Sequence, residues 1–371
     1  MSKLFVVLLC AFFSATGFSQ SDNFYVSGTV INKETNLPLQ GASVFAQNTT
    51  IGTATNSEGK FSLQLPAGGY DLVVTFTGYT TETKRITASD ADNRNMVFEI
   101  KPKEKEMEAV AIIATTEVKD GWQKYGNFFL DHFIGKTVNS ASCALKNPEV
   151  LKFYFSKKRN RLKVLATEPL MIENKALGYN IKYTIDSFTY AYDTQVSLYT
   201  GYPLFEEMTA TANEQKNSWE LARQKAYKGS ILHFMRSIYK KEIKEEGFEI
   251  QFLATYKDRD EEKDTALKFK NVYPALNYQK DDSTQTVEIK PNQKKIGVFY
   301  TKEKPAAGYL NENKDDPADF QFSILSFAEG TSIIIEQNGY YFEQNDIAIS
   351  EYWTWDKVAD QLPYNYTPYM N

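Results

Sequence analysis

Histidine and cysteine are nearly missing from this chain of 371 residues, which has two of each against 47 Asp and Glu and 42 Lys and Arg. A zinc peptidase needs clustered His and Glu ligands, and His132 and His233 stand in neither an H-E-x-x-H nor an H-x-x-E frame. Cys10 falls inside the N-terminal apolar run, so removal of that run would leave Cys143 alone. An internal disulfide is then excluded, and the lone thiol is expected to be buried as a small hydrophobe. The nucleophile frame G-x-S-x-G is missing too, because Gly330-Thr-Ser332 runs into Ile333-Ile334. There is no phosphate-cradling glycine loop. Asp281-Asp282 and Asp315-Asp316 lack the spacing of a calcium loop and read as solvated acidic turns. Nor is there a basic surplus. A formal net charge of -5 argues against a nucleic-acid partner. No catalytic residue, metal or cofactor is expected from these patterns.

What the chain does have is apolar mass. Apolar residues make up 42% and aromatics 14%, enough for two or three domains with real cores. The longest apolar run, Leu4 to Phe13, follows Lys3 and precedes the small residues Gly17 and Ser19. Residues 1–19 therefore read as a signal peptide cleaved near Gln20. The run is too short to span a bilayer comfortably, and no later run reaches spanning length. The expected setting is outside the cytoplasm: periplasmic, outer-membrane-associated or extracellular, with no transmembrane span in the mature chain.

Residues 24–100 alternate short β-prone runs with turn chemistry every 8 to 12 residues, the rhythm of a β-sandwich. The runs are Tyr25–Ile31, Gly41–Ala46, Ile51–Thr55, Phe61–Leu65, Tyr70–Phe76, a stretch from Gly78-Tyr79 to Ile86, and Met96–Ile100. Asn36-Leu-Pro38, Asn56-Ser-Glu-Gly59 and Pro66-Ala-Gly-Gly69 supply turns between them. Four pieces, Ser27-Gly-Thr-Val30, Leu37-Pro-Leu-Gln-Gly-Ala-Ser-Val44, Thr55-Asn-Ser-Glu-Gly-Lys-Phe-Ser62 and Phe76-Thr-Gly-Tyr79, give a resemblance to the carboxypeptidase regulatory-like domain. That resemblance implies a seven-stranded transthyretin-like, Ig-like sandwich found in envelope proteins of Bacteroidota. It also implies an accessory module without catalytic residues.

Residues 101–119 read as a mixed-charge linker, Lys101-Pro-Lys-Glu-Lys-Glu-Met-Glu108, followed by the β-like run Ala109–Ala114. The order resembles the start of a TonB-dependent receptor, but the remaining chain is too short for a barrel of 22 strands. Residues 120–371 read as a second, antiparallel β-rich α+β domain of unknown function, so the whole is mainly β with some α. A helix over Asp120–Phe133, capped by Asp120, opens it. Strands follow over Val150–Phe155, Arg161–Thr167, Pro169–Glu173 and Tyr179–Asp186, the last continuing through Phe188, Tyr190 and Tyr192. A central kinked helical segment comes next: a short helix capped by Ser218, a break at Gly229-Ser230, and a helix over Ile231–Glu246 closed by Gly247. Strands resume over Phe248–Tyr256, Val287–Thr301, Phe320–Phe327 and Thr331–Glu336. Asn338-Gly339 is a hairpin turn, and a last short helix is expected over Asp356–Leu362.

Arg223 and Tyr227 stand four apart, and His233 and Arg236 three apart, so each pair shares one side of its helix. Together they would suit an anion or a carboxylate; alternatively they tie the helices to the sheet. Tyr340, Tyr341, Trp353 and Trp355 would stack on sugar rings if exposed, or fill a core if not. Asp264-Thr265-Ala266 and Asp282-Ser283-Thr284 resemble O-glycosylation sites of exported Bacteroidota proteins. Cys143-Ala-Leu-Lys-Asn-Pro-Glu-Val150, Glu173-Asn-Lys-Ala-Leu-Gly-Tyr179 and Tyr227-Lys-Gly-Ser-Ile-Leu-His-Phe-Met-Arg236 resemble an uncharacterised region that accompanies the same sandwich, and bring no activity with them. Two readings follow: a non-enzymatic envelope protein with a protein or glycan partner, or an envelope hydrolase acting on glycans or peptides through carboxylates scattered in sequence.

Overall fold

The computed structural model describes residues 23–103, 116–258, 261–342 and 346–368. The expected signal peptide and the run Ala109–Ala114 lie outside the described residues. Seven strands form the N-terminal part: β1 Phe24–Asn32, β2 Ser43–Ala46, β3 Gly52–Ala54, β4 Lys60–Leu65, β5 Gly69–Thr75, β6 Glu82–Thr87 and β7 Met96–Ile100. They make a three-stranded sheet, β4-β1-β7, and a four-stranded sheet, β3-β2-β5-β6. Pairing is antiparallel except between β1 and β7. Strict alternation does the packing. On β4, Phe61, Leu63 and Leu65 are buried and the residues between them exposed. They meet Val26, Val30, Leu72, Val74, Ile86 and Phe98 in one core.

The second core is built on a seven-stranded sheet. Its strands are β8 Thr116–Glu117, β9 Cys143–Leu145, β10 Leu151–Ser156, β11 Arg161–Ala166, β12 Leu170–Asn174, β13 Tyr179–Ala191 and β14 Val196–Glu207. β13 carries the sheet and pairs with β14 along almost its whole length. Tyr179, Ile181, Tyr183 and Ile185 point inward, and a bulge between Ile185 and Ser187 then changes the phase so that Phe188 and Tyr190 also point inward. Helix α1, Gly121–Phe133, lays Phe129 and Phe133 on Phe153, Phe188 and Tyr183. Asp120 does not cap it. Gly121 packs so closely on Phe153 that an added Cβ would lie 2.8 Å from its Cβ. Asp120 turns left-handed there, φ 57°, with no side-chain hydrogen bond to the helix.

The central segment is two helices. α2, Asn213–Tyr227, begins five residues before the expected cap Ser218. The Gln215 side-chain Oε1 accepts from the Thr211 N–H (2.8 Å) and hydroxyl (3.0 Å), which secures the helix start from within. α3, Ile231–Lys240, is capped by Ser230, whose Oγ accepts from the His233 N–H at 3.2 Å. It ends at Lys240 rather than Glu246, because Lys241 turns left-handed and the Glu242 N–H closes back on the Ser237 carbonyl at 2.9 Å. Ser230→Ala should cost about 1 kcal/mol of stability in chemical denaturation, since the orphaned amide sits at a buried corner.

The third core lies between a five-stranded sheet, ordered β16-β15-β19-β20-β22, and a three-stranded sheet, β17-β18-β21. These strands are β15 Phe248–Asp258, β16 Glu261–Leu267, β17 Gln279–Asp281, β18 Thr286–Ile289, β19 Lys295–Tyr300, β20 Gln321–Phe327, β21 Ile333–Ile335 and β22 Ile347–Glu351. The expected single strand over Val287–Thr301 is thus two strands in different sheets. The charged residues Lys257, Asp258 and Glu261 to Asp264 pair within β15 and β16, and residues 356–362 hold only a 3-10 turn, Val358–Asp360. Helix α3 gives Phe234, Met235 and Ile238 to this core and Leu232 to the second one.

The sandwich is built into the rest of the chain rather than hanging from it. Thr49 pairs with Leu204 in parallel, extending the β13–β14 sheet; the Asn48 N–H donates to the Pro203 carbonyl (2.8 Å) and the Phe205 N–H to the Thr49 carbonyl (2.9 Å). The turn after β21 supplies a second contact. Asn338 donates to the Gly69 carbonyl at 3.1 Å, and the Tyr340 hydroxyl to Asp71 at 2.7 Å. Arg85 lies over the Phe342 ring. The tail adds a third, with the Tyr364 N–H on the Asn48 carbonyl (2.7 Å) and Asn365 bonded to Thr50.

Candidate functional site

The α2–α3 corner brings Tyr227, His233 and Arg236 together and sends Arg223 elsewhere. The Arg223 guanidinium lies 3.9 Å from the Tyr179 ring centre, donates to the carbonyls of Leu177 (2.7 Å) and Gly178 (3.2 Å), and reaches Glu207 at 3.4 Å. Arg236 is a three-pronged clamp. Its Nε and two terminal nitrogens donate to the carbonyls of Asn338, Tyr366 and Tyr364, each at 2.9 Å. The His233 ring is buried, 4.6 Å from the Tyr227 ring centre. Its Nδ1 accepts from the Gly229 N–H at 3.2 Å, which assigns the proton to Nε2 and makes Nε2 the donor to Glu246 at 3.0 Å. Burial holds its pKa below the ordinary histidine value, against the pull of Glu246. The donors of both arginines are thus spent largely on main-chain carbonyls, where they fasten the turn, the tail and the β12–β13 connection to the helices. His132 is half-buried on α1, its Nδ1 on the Phe128 carbonyl at 2.8 Å, and burial lowers its pKa as well.

Two carboxylates do converge. Asp360 takes hydrogen bonds from Thr137 and Asn139, both at 2.8 Å, and is raised by burial in spite of them. Asp356 is pushed well above the usual carboxylate range by burial and by the charge of Asp360. Nearby Cys143 donates to the Asn139 carbonyl at 3.4 Å, and its thiol is pushed up to about 12 by burial and by Asp360. At that value the sulfur stays a thiol under ordinary conditions, a poor nucleophile. The tail aromatics are core: Tyr340, Tyr341 and Trp353 are buried, and Trp353 donates to the Gly229 carbonyl at 2.7 Å. Of the two readings for the aromatics, the core one holds for these three, which fill the seams between sheets, and Trp355 is half-buried. Thr265 and Ser283 of the two glycosylation-like motifs are exposed.

Two open clefts stand out among the described residues. One, of about 420 Å³, lies beside the start of α1 and is lined by Lys119, Trp122, Glu149 and Lys152 among others. The other, of about 550 Å³, lies between the end of α3 and helix α4, Val272–Ala275. Lys241, Asn271, Tyr273, Asn277, Tyr278 and Gln279 line it. The Tyr273 and Tyr278 rings stand nearly perpendicular, 5.4 Å apart, and the Lys241 ammonium lies 4.5 Å from the Tyr278 ring centre and 5.6 Å from that of Tyr273. Sequence reading missed this cleft. The available signal was a lysine at the position after α3 where glycine is the common choice.

Comparison with known proteins concerns mainly the first part of the chain. Residues 26–112 match the CarboxypepD_reg-like domain family, in agreement with the sandwich described above. Among solved structures, a DUF3823 family protein from Bacteroides ovatus is 13% identical, covering 50% of this chain and 81% of its own, with a TM-score of 0.17. A 9R-lipoxygenase from Cyanothece is 11% identical, covering 58% of this chain and 48% of its own, with a TM-score of 0.13. No curated protein matches the sequence. Superpositions at these scores carry no structural argument.

Proposed function

We propose that this chain is an exported cell-envelope protein of the Bacteroidota type, non-enzymatic, that works by binding a partner or by structural support. One observation carries the reading. The most strongly displaced carboxyls, Asp356 and Glu336, line neither open cleft, and Glu336 is buried where the sandwich meets the body. A hydrolase needs its tuned acid and base at the wall of a substrate cleft. The α3–α4 cleft presents amides, aromatics and a lysine, the lining of a recognition surface, while the cleft beside α1 mixes Glu117, Asp120 and Glu149 with Lys119 and Lys152. The fusion of the sandwich to the body fits the same role, since several contacts hold the modules in one fixed arrangement. The N-terminal leader and the linker read from sequence support export.

The test is affinity capture of the mature, tagged protein from cell envelopes, together with an assay of the purified protein on envelope glycans and peptides. A saturable envelope partner without turnover supports the proposal. Hydrolysis that disappears in Asp356→Asn or Asp360→Asn would overturn it.

A further inference from the structure

We propose that the cleft between α3 and α4 is a carbohydrate site that takes a sugar ring bearing an anionic group, a carboxylate or a sulfate; this rests on the binding reading above. A sugar ring offers an apolar C–H face and a rim of hydroxyls. The face wants an aromatic wall, and Tyr273 and Tyr278 supply two walls at 82° to each other. Both rings are fixed from behind: the Tyr278 hydroxyl donates to the Tyr239 carbonyl at 3.2 Å, and the Tyr273 hydroxyl accepts from the Ile243 N–H at 3.5 Å. A platform held in place loses little entropy when a ligand stacks on it. The rim wants amides. Asn271, Asn277 and Gln279 line the cleft; the Asn271 oxygen accepts from the Tyr273 N–H at 3.2 Å, and Asn277, which donates through its amide nitrogen to the Lys290 carbonyl at 2.7 Å, keeps its side-chain oxygen as an acceptor.

Charge narrows the class. No Asp or Glu is among the residues that line this cleft, although Glu245 and Glu242 lie near enough to act on Tyr273 and the chain as a whole carries a net charge of -5. Lys241 stands over both rings and makes none of the ion pairs found among the described residues. A cation over a stacking platform places an anion at the edge of a bound ring. Lys241 and Asn277 both hold left-handed backbone, φ 62° and 47°, at a conformational cost that glycine would avoid. A volume of about 550 Å³ falls within the range of small-molecule sites.

The experiment is calorimetric titration of the full mature chain with three oligosaccharide sets: oligogalacturonate, a sulfated carrageenan oligosaccharide that carries no uronate, and a neutral maltooligosaccharide of the same length. Binding to at least one anionic set, with the neutral set at least tenfold weaker, is the expected result; which anionic set binds decides between carboxylate and sulfate. Lys241→Met, at an exposed position, should lower that affinity at least tenfold while leaving the thermal unfolding midpoint in place. Tyr278→Leu should remove it, and Tyr278→Phe should retain it. Failure of all three sets to bind at millimolar concentration overturns the inference, as do neutral chains binding equally well or Lys241→Met binding like the parent. Those outcomes leave the envelope-binding reading standing if envelope capture persists. Cleavage of the oligosaccharide instead of its retention would sink that reading as well.

Discussion

Replacing Arg236 with methionine should destabilise the chain by about 3 kcal/mol or more and release its tail first. The three guanidinium donors reach three carbonyls at 2.9 Å, from Asn338 in the turn after β21 and from Tyr364 and Tyr366 in the tail. Each bond has a charged donor, the class worth about 1.5 to 3 kcal/mol, and the total is discounted because the side chain is only half-buried and water can re-enter. The clamp also acts at a distance. The tail it holds carries Tyr364 and Asn365 onto Asn48 and Thr50 of the sandwich. Loosening the tail therefore loosens one of the contacts that dock the sandwich. The midpoint of thermal unfolding should fall by roughly 5 to 10 °C. Limited proteolysis should cut within residues 361–368 before any other site. Arg236→Lys should recover little, because a single ammonium cannot fork to three carbonyls in different directions. If the methionine variant lies within 1 kcal/mol of the parent and its tail stays protected, the clamp is not what holds the tail.

That clamp shows what could and could not be read in the sequence. The i, i+3 spacing of His233 and Arg236 was visible, and so was the break at Gly229-Ser230. The acceptors lie 102 to 130 residues further along the chain, where no local pattern announces them. The sandwich was legible strand by strand because each of its strands buries one face, and turn residues mark nearly every end. β14 was missed for the opposite reason: its first half is an edge that leaves Val196 and Leu198 exposed, so apolar residues there do not report the core. Residues 287–301 read as one strand across the polar run Lys290-Pro-Asn-Gln-Lys-Lys295, where Pro291 marks a break. Lys290 bonds back to the Leu276 carbonyl at 2.8 Å, and the two halves part into different sheets. Charge hides the strand β16, on which Asp264 is held by Lys295 at 3.0 Å and by Thr255 at 2.6 Å. The cleft was hidden because Lys241 and Tyr273 meet across thirty-two residues.

Stability should fall as pH rises from 5 to 8, and Glu336→Gln should flatten that fall. Glu336 is 3% exposed, and its Oε1 has no hydrogen-bond partner. It presses on the sandwich so closely that a Cβ on Gly69 would lie 2.6 Å from its Cγ. Burial raises its pKa from the ordinary 4.5 to about 7, with Arg85 opposing the rise and Asp90 adding to it. The folded chain therefore keeps a proton that the unfolded chain gives up. The stability this confers is fully present below pH 4.5, erodes through the interval up to about 7, and is gone above it. A displacement of that size corresponds to about 3 kcal/mol, an upper figure for a site that can admit water when ionised. Other groups at the seam titrate too. Asp71 is raised by burial despite its bond from Tyr340, and Tyr70 is pushed up to about 12, beyond the interval of interest. His233 and His132, held low by burial, act in the opposite sense, since they gain stability as pH rises through the histidine range. The difference between parent and Glu336→Gln removes these shared contributions. The two proteins should match near pH 5, and the variant should exceed the parent by about 2 to 3 kcal/mol at pH 8 in chemical denaturation. Parallel pH curves would show that Glu336 ionises in the folded protein without cost. The β21 turn would then be held to the sandwich by Asn338 and Tyr340, with no contribution from the protonation of the carboxyl between them.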